Sequence, residues 1–366
     1  MAWAGRSLSL TDDHARSPQP CYLSRHFPGP PAGSDQLATG GEVKMTGLAT
    51  AFPHAFPRCD LIYAVSSVGF AGRQSVIDIA RSRGIPVVLN QNGVYYPASG
   101  GQRWRALNRP LDALRRSADF IVYQTDFCKL ACDTFLGPLE TPFTIACNAV
   151  DTAVYTPADP PPILDEPTVL ALWGVGGRNR RTTITVEAFL SLRRGMPKAR
   201  LILAGYHEPS AEHRAMRGKI DDLVAAAGHP HDCITYLPRY TGREAPGIFR
   251  RAHVLLHTQA NDNCPHLVVE AMACGVPVVH QDNGGTPQMV TPLGGVGVSS
   301  PASWDRIDYP SPEAFAAALE TVLRQWPAFH RQARARAIEF MSLDAFVREH
   351  RRVFDLVCPH LRGSSP

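Results

Sequence analysis

From residue 59 onward, short apolar runs alternate with longer stretches whose apolar residues recur every three or four positions. Residues 59–67 (CDLIYAVSS), 85–93 (IPVVLNQNG), 119–125 (DFIVYQT) and 143–150 (FTIACNAV) have the length and character of strands. Between them, residues 75–84 (SVIDIARSRG), 105–118 (RALNRPLDALRRSA, despite Pro110) and 127–137 (FCKLACDTFLG) have helical spacing. A Pro-rich stretch, residues 156–167 (TPADPPPILDEP), holds neither pattern and predicts a linker. Beyond it the alternation restarts. Strands are expected at 168–174, 199–205, 233–238, 253–258 and 276–282, with helices at 182–195, 212–228, 243–252 and 265–275. This rhythm predicts an α/β protein of two Rossmann-like, doubly wound domains. Residues 1–38 are rich in Pro, Gly, Ser and Asp; only 21–27 (CYLSRHF) suggest a strand, so the segment is expected to be poorly structured. The expected division is 39–157 for the first domain, 158–340 for the second and 341–366 for a C-terminal helix.

Composition narrows the function classes. A formal charge of +4 over 366 residues, without a basic stripe, argues against nucleic acid as partner. The nine cysteines are dispersed without a CxxC pair, so no zinc site and no metal are expected, only reduced thiols filling apolar space. No run approaches the roughly 20 apolar residues of a membrane span, and the N-terminus lacks the apolar stretch of a secretory signal. A cytoplasmic location is therefore expected. The basic-aromatic stretch 102–117 is an ordinary exposed helix or a peripheral contact with an anionic membrane surface.

Candidate chemistry concentrates in residues 261–290 (NDNCPHLVVEAMACGVPVVHQDNGGTPQMV). Pro265 suits a first helical position, since its missing N–H has no partner there anyway. The N–H groups of His266 and Leu267 then point out of the helix start, with Asp262, Asn263 and Cys264 just before it, which makes an anion site suited to a diphosphate. Glu270, one turn on in an otherwise apolar helix, suits a ribose diol. Gly284 and Gly285, at the carboxyl end of the next strand, give a ligand room to approach the backbone. A second basic cluster, Arg178, Arg180 and Arg181 on GGRNRRT, offers guanidinium groups for a diphosphate, and the spacing does not choose among them.

This segment resembles the donor-binding motif of glycosyltransferase family 4, retaining enzymes of the GT-B fold, also known as glycosyl transferases group 1. Asp262 and Glu270 match its two acidic residues eight positions apart, and AMACGVPVV (residues 271–279) matches the run that follows. Further matches are NAVDTAVYTP (148–157), the Gly-Gly loop TGGEVKMTGLA (39–49) with Gly40 and Gly41, and ARLILAG ending in Gly205. The resemblance implies two domains facing across a cleft, with the C-terminal helix returning to the first. It also implies metal-independent transfer of a sugar from a nucleotide diphosphate donor, with retention of configuration and no cofactor beyond that co-substrate. Asp262 and Arg180 are then the catalytic candidates, and Glu270 contacts the ribose. Asn90 and Asn92 lie on the acceptor side, where the acceptor is a glycan, a lipid-linked sugar or a small molecule. Departures are Asp262 where the family usually has Glu, Val175 and Arg180 at its Arg and Lys positions, Asn90-Gln91-Asn92 where a His is common, and Gln288 for Glu. The competing reading is a catalytically inactive sugar-nucleotide-binding partner or regulatory protein.

Overall fold

The computed structural model describes residues 17–24, 40–173, 179–207 and 210–361. The chain forms two compact units, one of Met1–Ala149, Trp304–Arg306 and Leu343–Pro366, the other of Val150–Ser303 and Ile307–Ser342.

In the first unit, β1 (Pro20–Tyr22), β2 (Leu61–Val65), β3 (Val87–Gln91), β4 (Phe120–Tyr123) and β5 (Phe143–Ile145) lie side by side in chain order. Every pair is parallel. The helices are α1 (Gly40–Ala49), α2 (Arg73–Ser82), α3 (Pro97–Gly100), α4 (Trp104–Arg116) and α5 (Asp126–Leu136). From β2 onward, right-handed crossovers that step the same way put the connecting helices α2, α4 and α5 on one face of the sheet. Ile77 of α2, Leu114 of α4 and Cys128 of α5 accordingly pack with Ile62, Leu89 and Ile121. The alternate residues Tyr63, Val65, Val88 and Val122 face the other way, onto Met45 and Leu48 of α1 and Phe346, Val353 and Phe354 of the C-terminal helix (Leu343–Val357). Both faces being covered explains why the strands read as continuous apolar runs rather than alternating ones.

The second unit contains β6 (Thr168–Leu172), β7 (Arg200–Tyr206), β8 (Ile234–Pro238), β9 (Val254–His257), β10 (Val278–Gln281) and β11 (Gly295–Val298). Its helices are α6 (Asn179–Gly195), α7 (Ala211–Ala226), α8 (Ala245–Phe249), α9 (His266–Ala273), α10 (Thr286–Gly294), α11 (Pro312–Arg324) and α12 (Trp326–Phe340). The strand order is β11-β10-β9-β6-β7-β8, again all parallel. The reversal that defines a doubly wound sheet is thus present here, while the described strands of the first sheet run in one direction.

The strand suggested within residues 21–27 is present as β1, which starts one residue earlier, ends at Tyr22 and pairs with β2; residues 1–16 and 25–38 lie outside the described residues. Three expectations need correction. Gly40 and Gly41 open a helix rather than a loop. A Cβ on Gly41 would sit 2.4 Å from Val68 Cγ2, so the absent side chain lets the helix start close against the turn after β2. The unit boundary falls at Ala149/Val150, not at 157/158. Residues 150–157 are strapped to the second unit by two arginines: Arg250 donates to the carbonyls of Val154 and Thr156, and Arg334 to those of Thr152 and Tyr155. Finally, the edge strand β11 (GVGV) carries no apolar pattern to announce it. Gly295 lies so close to β10 that a Cβ would meet Val278 O at 1.9 Å, and packing selects glycine over a strand-forming residue.

Candidate functional site

The second sheet reverses between β6 and β9, and open α/β sheets take ligands at the carboxyl ends of the strands flanking such a reversal. Two segments leave that point, one from β6 into α6 and one from β9 into α9. They are stitched together. Thr258 and Thr185 share a hydrogen bond of 3.0 Å, Thr185 donates to Arg181 O (2.9 Å), and the Arg181 guanidinium donates to Gln259 Oε1. Arg181 is therefore buried at the reversal. Arg180, one residue earlier, turns outward instead, its side chain 61% exposed and 3.7 Å from Glu187 Oε2. Arg178 lies outside the described residues.

After β9 the chain folds back sharply. Asn261 has a φ of 52°, in the left-handed region that Asn tolerates better than most residues. Two bonds hold it there: its N–H donates to Asn283 Oδ1 (2.8 Å) and its Nδ2 to Ser303 O (2.8 Å). The next residue, Asp262, presses its peptide against Gly284. A Cβ on Gly284 would lie 2.7 Å from both Asp262 N and O, and Gly285 N–H donates to Asp262 O at 2.7 Å. The room at Gly284, expected from the sequence to admit a ligand, is thus occupied by the Asp262 backbone. Gly284 has φ 75°, so a side chain there carries backbone strain as well as the clash. With its backbone fixed, Asp262 keeps a carboxylate 20% exposed, and Oδ2 lies 3.6 Å from Nε2 of buried His257.

Pro265 is the N-cap of α9, with extended backbone (φ −69°, ψ 121°), and not its first helical residue. The proline ring fixes φ alone and leaves ψ open, so both positions were compatible with it. His266 and Leu267 supply the first-turn N–H groups, which by position point out of the helix start. The side chains of Cys264 and Leu267 are buried in the core, whereas Asn263 and His266 are half-buried.

One turn further, half-buried Glu270 accepts a hydrogen bond on Oε1 from the Tyr155 hydroxyl (3.1 Å). Loss of hydration raises its carboxyl to about 7, outweighing the Tyr155 bond, which acts in the opposite sense. Tyr155 stands where the motif that residues 148–157 resemble has Phe. Arg334 fixes it, donating to Tyr155 O (2.6 Å) and also to Ala273 O at the last turn of α9 (2.5 Å). A cation at that end of the helix complements its dipole. Gly205, the residue before the last of β7, has φ 93° at a register shift against β8, and a Cβ there would lie 3.9 Å from Trp173 Cβ.

In the first unit, the carboxyl end of β3 carries Asn90, Gln91 and Asn92. Asn90 and Asn92 both accept from Lys44 Nζ, at 3.0 and 2.6 Å, and Asn92 N–H donates to Ser66 Oγ (2.9 Å). Lys44 is 4% exposed on the inward face of α1, with Met45 and Leu48. It was missed in the sequence, as were His257, Tyr155 and Arg334. The signal for Lys44 was present: a charged residue four positions before Leu48 on a stripe that otherwise faces the core. For Tyr155 it was the hydroxyl at a Phe position. No comparable local signal marks Arg334, whose partners lie 61 to 182 positions away, or His257, whose neighbour Asp262 is close in sequence but is brought to it only by the sharp turn after β9. Among the described residues, no group of three or more His, Cys, Asp or Glu side chains is placed to hold a metal ion, and no helix is long and apolar enough to cross a membrane.

Residues 160–340 match the family model Glycosyl transferases group 1. No curated protein sequence matches the chain. Among solved structures, the pneumococcal O-GlcNAc transferase GtfA, in complex with UDP and GlcNAc, aligns at TM-score 0.62 and 12% identity over 86% of this chain, which spans only 60% of that protein. Sucrose-phosphate synthase from Thermosynechococcus elongatus aligns at TM-score 0.61 and 15% identity, covering 86% of this chain and 76% of that one. Anabaena HepE in complex with UDP aligns at 0.63 and 16%, covering 87% and 82%. At such identities these likenesses establish the fold. Together with the family match, they show that residues 160–340 carry a glycosyl transferases group 1 domain, within a chain whose two parallel-sheet Rossmann-like units are of the GT-B type.

Proposed function

We propose that the protein transfers a sugar from a nucleoside diphosphate donor, bound by the second unit, to an acceptor taken by the first. Retention of configuration and metal independence belong to the same reading and rest on the resemblance to glycosyltransferase family 4. The observation that supports it furthest is the placement of Asp262 and Glu270. Both stand where the strand order reverses, with the α9 first turn between them and Arg181 beside the loop.

Breaking a bond to a nucleoside diphosphate asks the protein chiefly to stabilise charge on the departing phosphate. Arg181 and the first-turn N–H groups of α9 suit that task, and one oriented donor in comparable sites contributes about 2.7–4 kcal/mol. Asp262 has the exposed carboxylate edge to receive a donor-sugar hydroxyl. Glu270, whose Oε1 takes the Tyr155 hydroxyl, has Oε2 for the ribose. Of the two amides expected on the acceptor side, half-buried Asn92 has the exposure to hydrogen-bond an acceptor hydroxyl without acting as a base, whereas Asn90, 0% exposed and bonded to Lys44, helps to hold that strand end in place.

Uridine diphosphate, held by two of the compared proteins, is the first nucleotide to test. The experiment is a thermal-shift screen of UDP-, GDP-, ADP- and TDP-sugars, with Glu270→Ala as control. A ligand at 100 times its Kd stabilises the fold by about 2.7 kcal/mol. A shift with one nucleotide, lost in the variant, supports the donor site; no shift with any of the four removes it.

A further inference from the structure

The family motif usually has Glu where this chain has Asp262, one methylene shorter, and the position beneath is filled in an unusual way. His257 is the last residue of β9, 4% exposed, and its Nε2 is buried without a hydrogen-bond partner. A buried polar atom left unbonded costs about 1–3 kcal/mol, so such groups call for an explanation. The nearest carboxylate oxygen is Asp262 Oδ2 at 3.6 Å, just beyond hydrogen-bond reach. The register neighbour His280, on β10, bonds through Nδ1 with Gln281 O (2.9 Å) and so has its own local contact. The chain is brought back over the strand end by the left-handed Asn261, its anchors on Asn283 and Ser303, and the Gly284-Gly285 seat under Asp262.

We propose that His257 is the positioning residue for Asp262. A small rotation of the Asp262 side chain closes the 3.6 Å gap with or without donor, so that Nε2–H donates to Oδ2, which fixes the rotamer of the shorter side chain and leaves Oδ1 for a donor-sugar hydroxyl. The role in turnover rests on the functional reading above; the His257–Asp262 pair itself does not. A carboxylate oriented by a buried imidazole is held more firmly than one held by solvent, and misplacing a catalytic group by about 1 Å costs on the order of 100-fold.

Two measurements on the full-length protein test this. The first is imidazole NMR on 15N-histidine-labelled protein, with and without UDP-glucose, the His257 signal being assigned by its loss in His257→Gln. A slowly exchanging Nε2–H resonance is expected in both states and should vanish or move in Asp262→Ala; a resonance indifferent to Asp262 overturns the pair. The second is release of UDP from UDP-glucose. His257→Leu fills the same buried space without a donor, so it should fold, keep UDP affinity within about twofold and lower kcat roughly 10–100-fold. His257→Gln, which retains an N–H near the Nε2 position, should recover most of that loss. A fully active Leu variant, or a Gln variant no better than Leu, refutes the positioning role. Wild-type protein that neither binds nor splits UDP-glucose removes the functional reading instead, while the NMR measurement still decides the pair, with or without added sugar nucleotide.

Discussion

At the carboxyl end of β3 the first unit buries a lysine among amides, and at the carboxyl end of β9 the second unit presents two carboxylates beside a helix start. The sheets are alike in being parallel and covered by helices, so the difference lies in topology and in what is left over. The described strands of the first sheet follow one another in a single direction, and its polar edge is drawn inward: Lys44 holds Asn90 and Asn92, and Asn92 N–H donates to Ser66. The second sheet reverses at β6/β9, where loops diverge, and its edge keeps hydrogen-bonding capacity in hand, on Asp262, on Glu270 Oε2 and on His257 Nε2. The first edge is not fully satisfied either, since Asn90 Nδ2 and Gln91 Oε1 are buried there without a partner; what separates the two is that the charged group of the first, Lys44, is buried and paired, whereas Asp262 and Glu270 of the second keep partly exposed carboxyl groups.

Exchanging the key residue on each side should separate a scaffold from a ligand site most clearly. Asp262→Ala should lower UDP-glucose turnover about 100- to 1,000-fold, the scale of losing one oriented polar group in a transition-state site. Lys44→Met should leave that turnover within about threefold. It should instead cost about 1–3 kcal/mol in urea unfolding, because two amide oxygens lose a charge-assisted donor. Equal loss of turnover in both variants, read as UDP release, would show that the first edge is not a scaffold.

The two units should also respond to pH in opposite senses. In the first, His350 is fully buried in the C-terminal helix, its Nε2 2.9 Å from the Tyr63 hydroxyl and its Nδ1 2.8 Å from Phe346 O. Burial pushes it down to about 4 from an ordinary 6.5. The folded protein therefore binds fewer protons than the unfolded chain over that window, and stability is lost as pH falls from about 6.5 to 4. The contribution is about 3 kcal/mol at full effect. In the second unit Glu270 is raised from 4.5 to about 7, so its contribution is present at low pH and is lost as pH rises through that window. Being only half-buried, it should contribute about 1–3 kcal/mol. Urea midpoints across pH 4–8 for His350→Phe and Glu270→Gln should show wild type losing ground to the first variant as pH falls from about 6.5 to 4, and to the second as pH rises from 4.5 to about 7. The same direction in both would break the contrast.

The amount of this legible in the sequence follows from how local each cause is. The donor-side motif was readable because Asp262, the α9 start, Glu270 and the two glycines lie within one strand–helix–strand segment. Strands and long helices were readable because burial on both faces writes apolar runs into the chain. What escaped depended on distance. Arg250 and Arg334 hold residues 150–157 across gaps of 94 to 182 positions, and no local pattern betrays that, so the boundary was misplaced. The role of Gly284 was misjudged because the backbone it admits is Asp262, 22 residues earlier in the sequence but adjacent in space. The β11 strand escaped because close approach to β10 replaced its apolar residues with glycine.

The arginines at the start of α6 supply the finest contrast, because neighbours in sequence occupy different environments. Arg180 forms a 3.7 Å pair with Glu187 on the surface, 61% and 29% exposed, and pairs of that kind contribute about 0–1 kcal/mol because water screens them and ordering two long side chains costs entropy. Arg181 is 7% exposed and bonded to Gln259, so its guanidinium is already oriented at the reversal of the sheet. Arg180→Ala should therefore shift unfolding by less than about 0.5 kcal/mol. If the diphosphate is bound by the cation the fold has oriented, Arg180→Ala should weaken UDP binding less than Arg181→Lys. The Lys variant keeps the charge and loses only the planar fork that can reach Gln259 and a phosphate together. Isothermal titration with UDP measures both. A larger loss in Arg180→Ala would mean that the outward arginine turns in on binding, and that orientation in the unliganded fold does not choose the phosphate ligand.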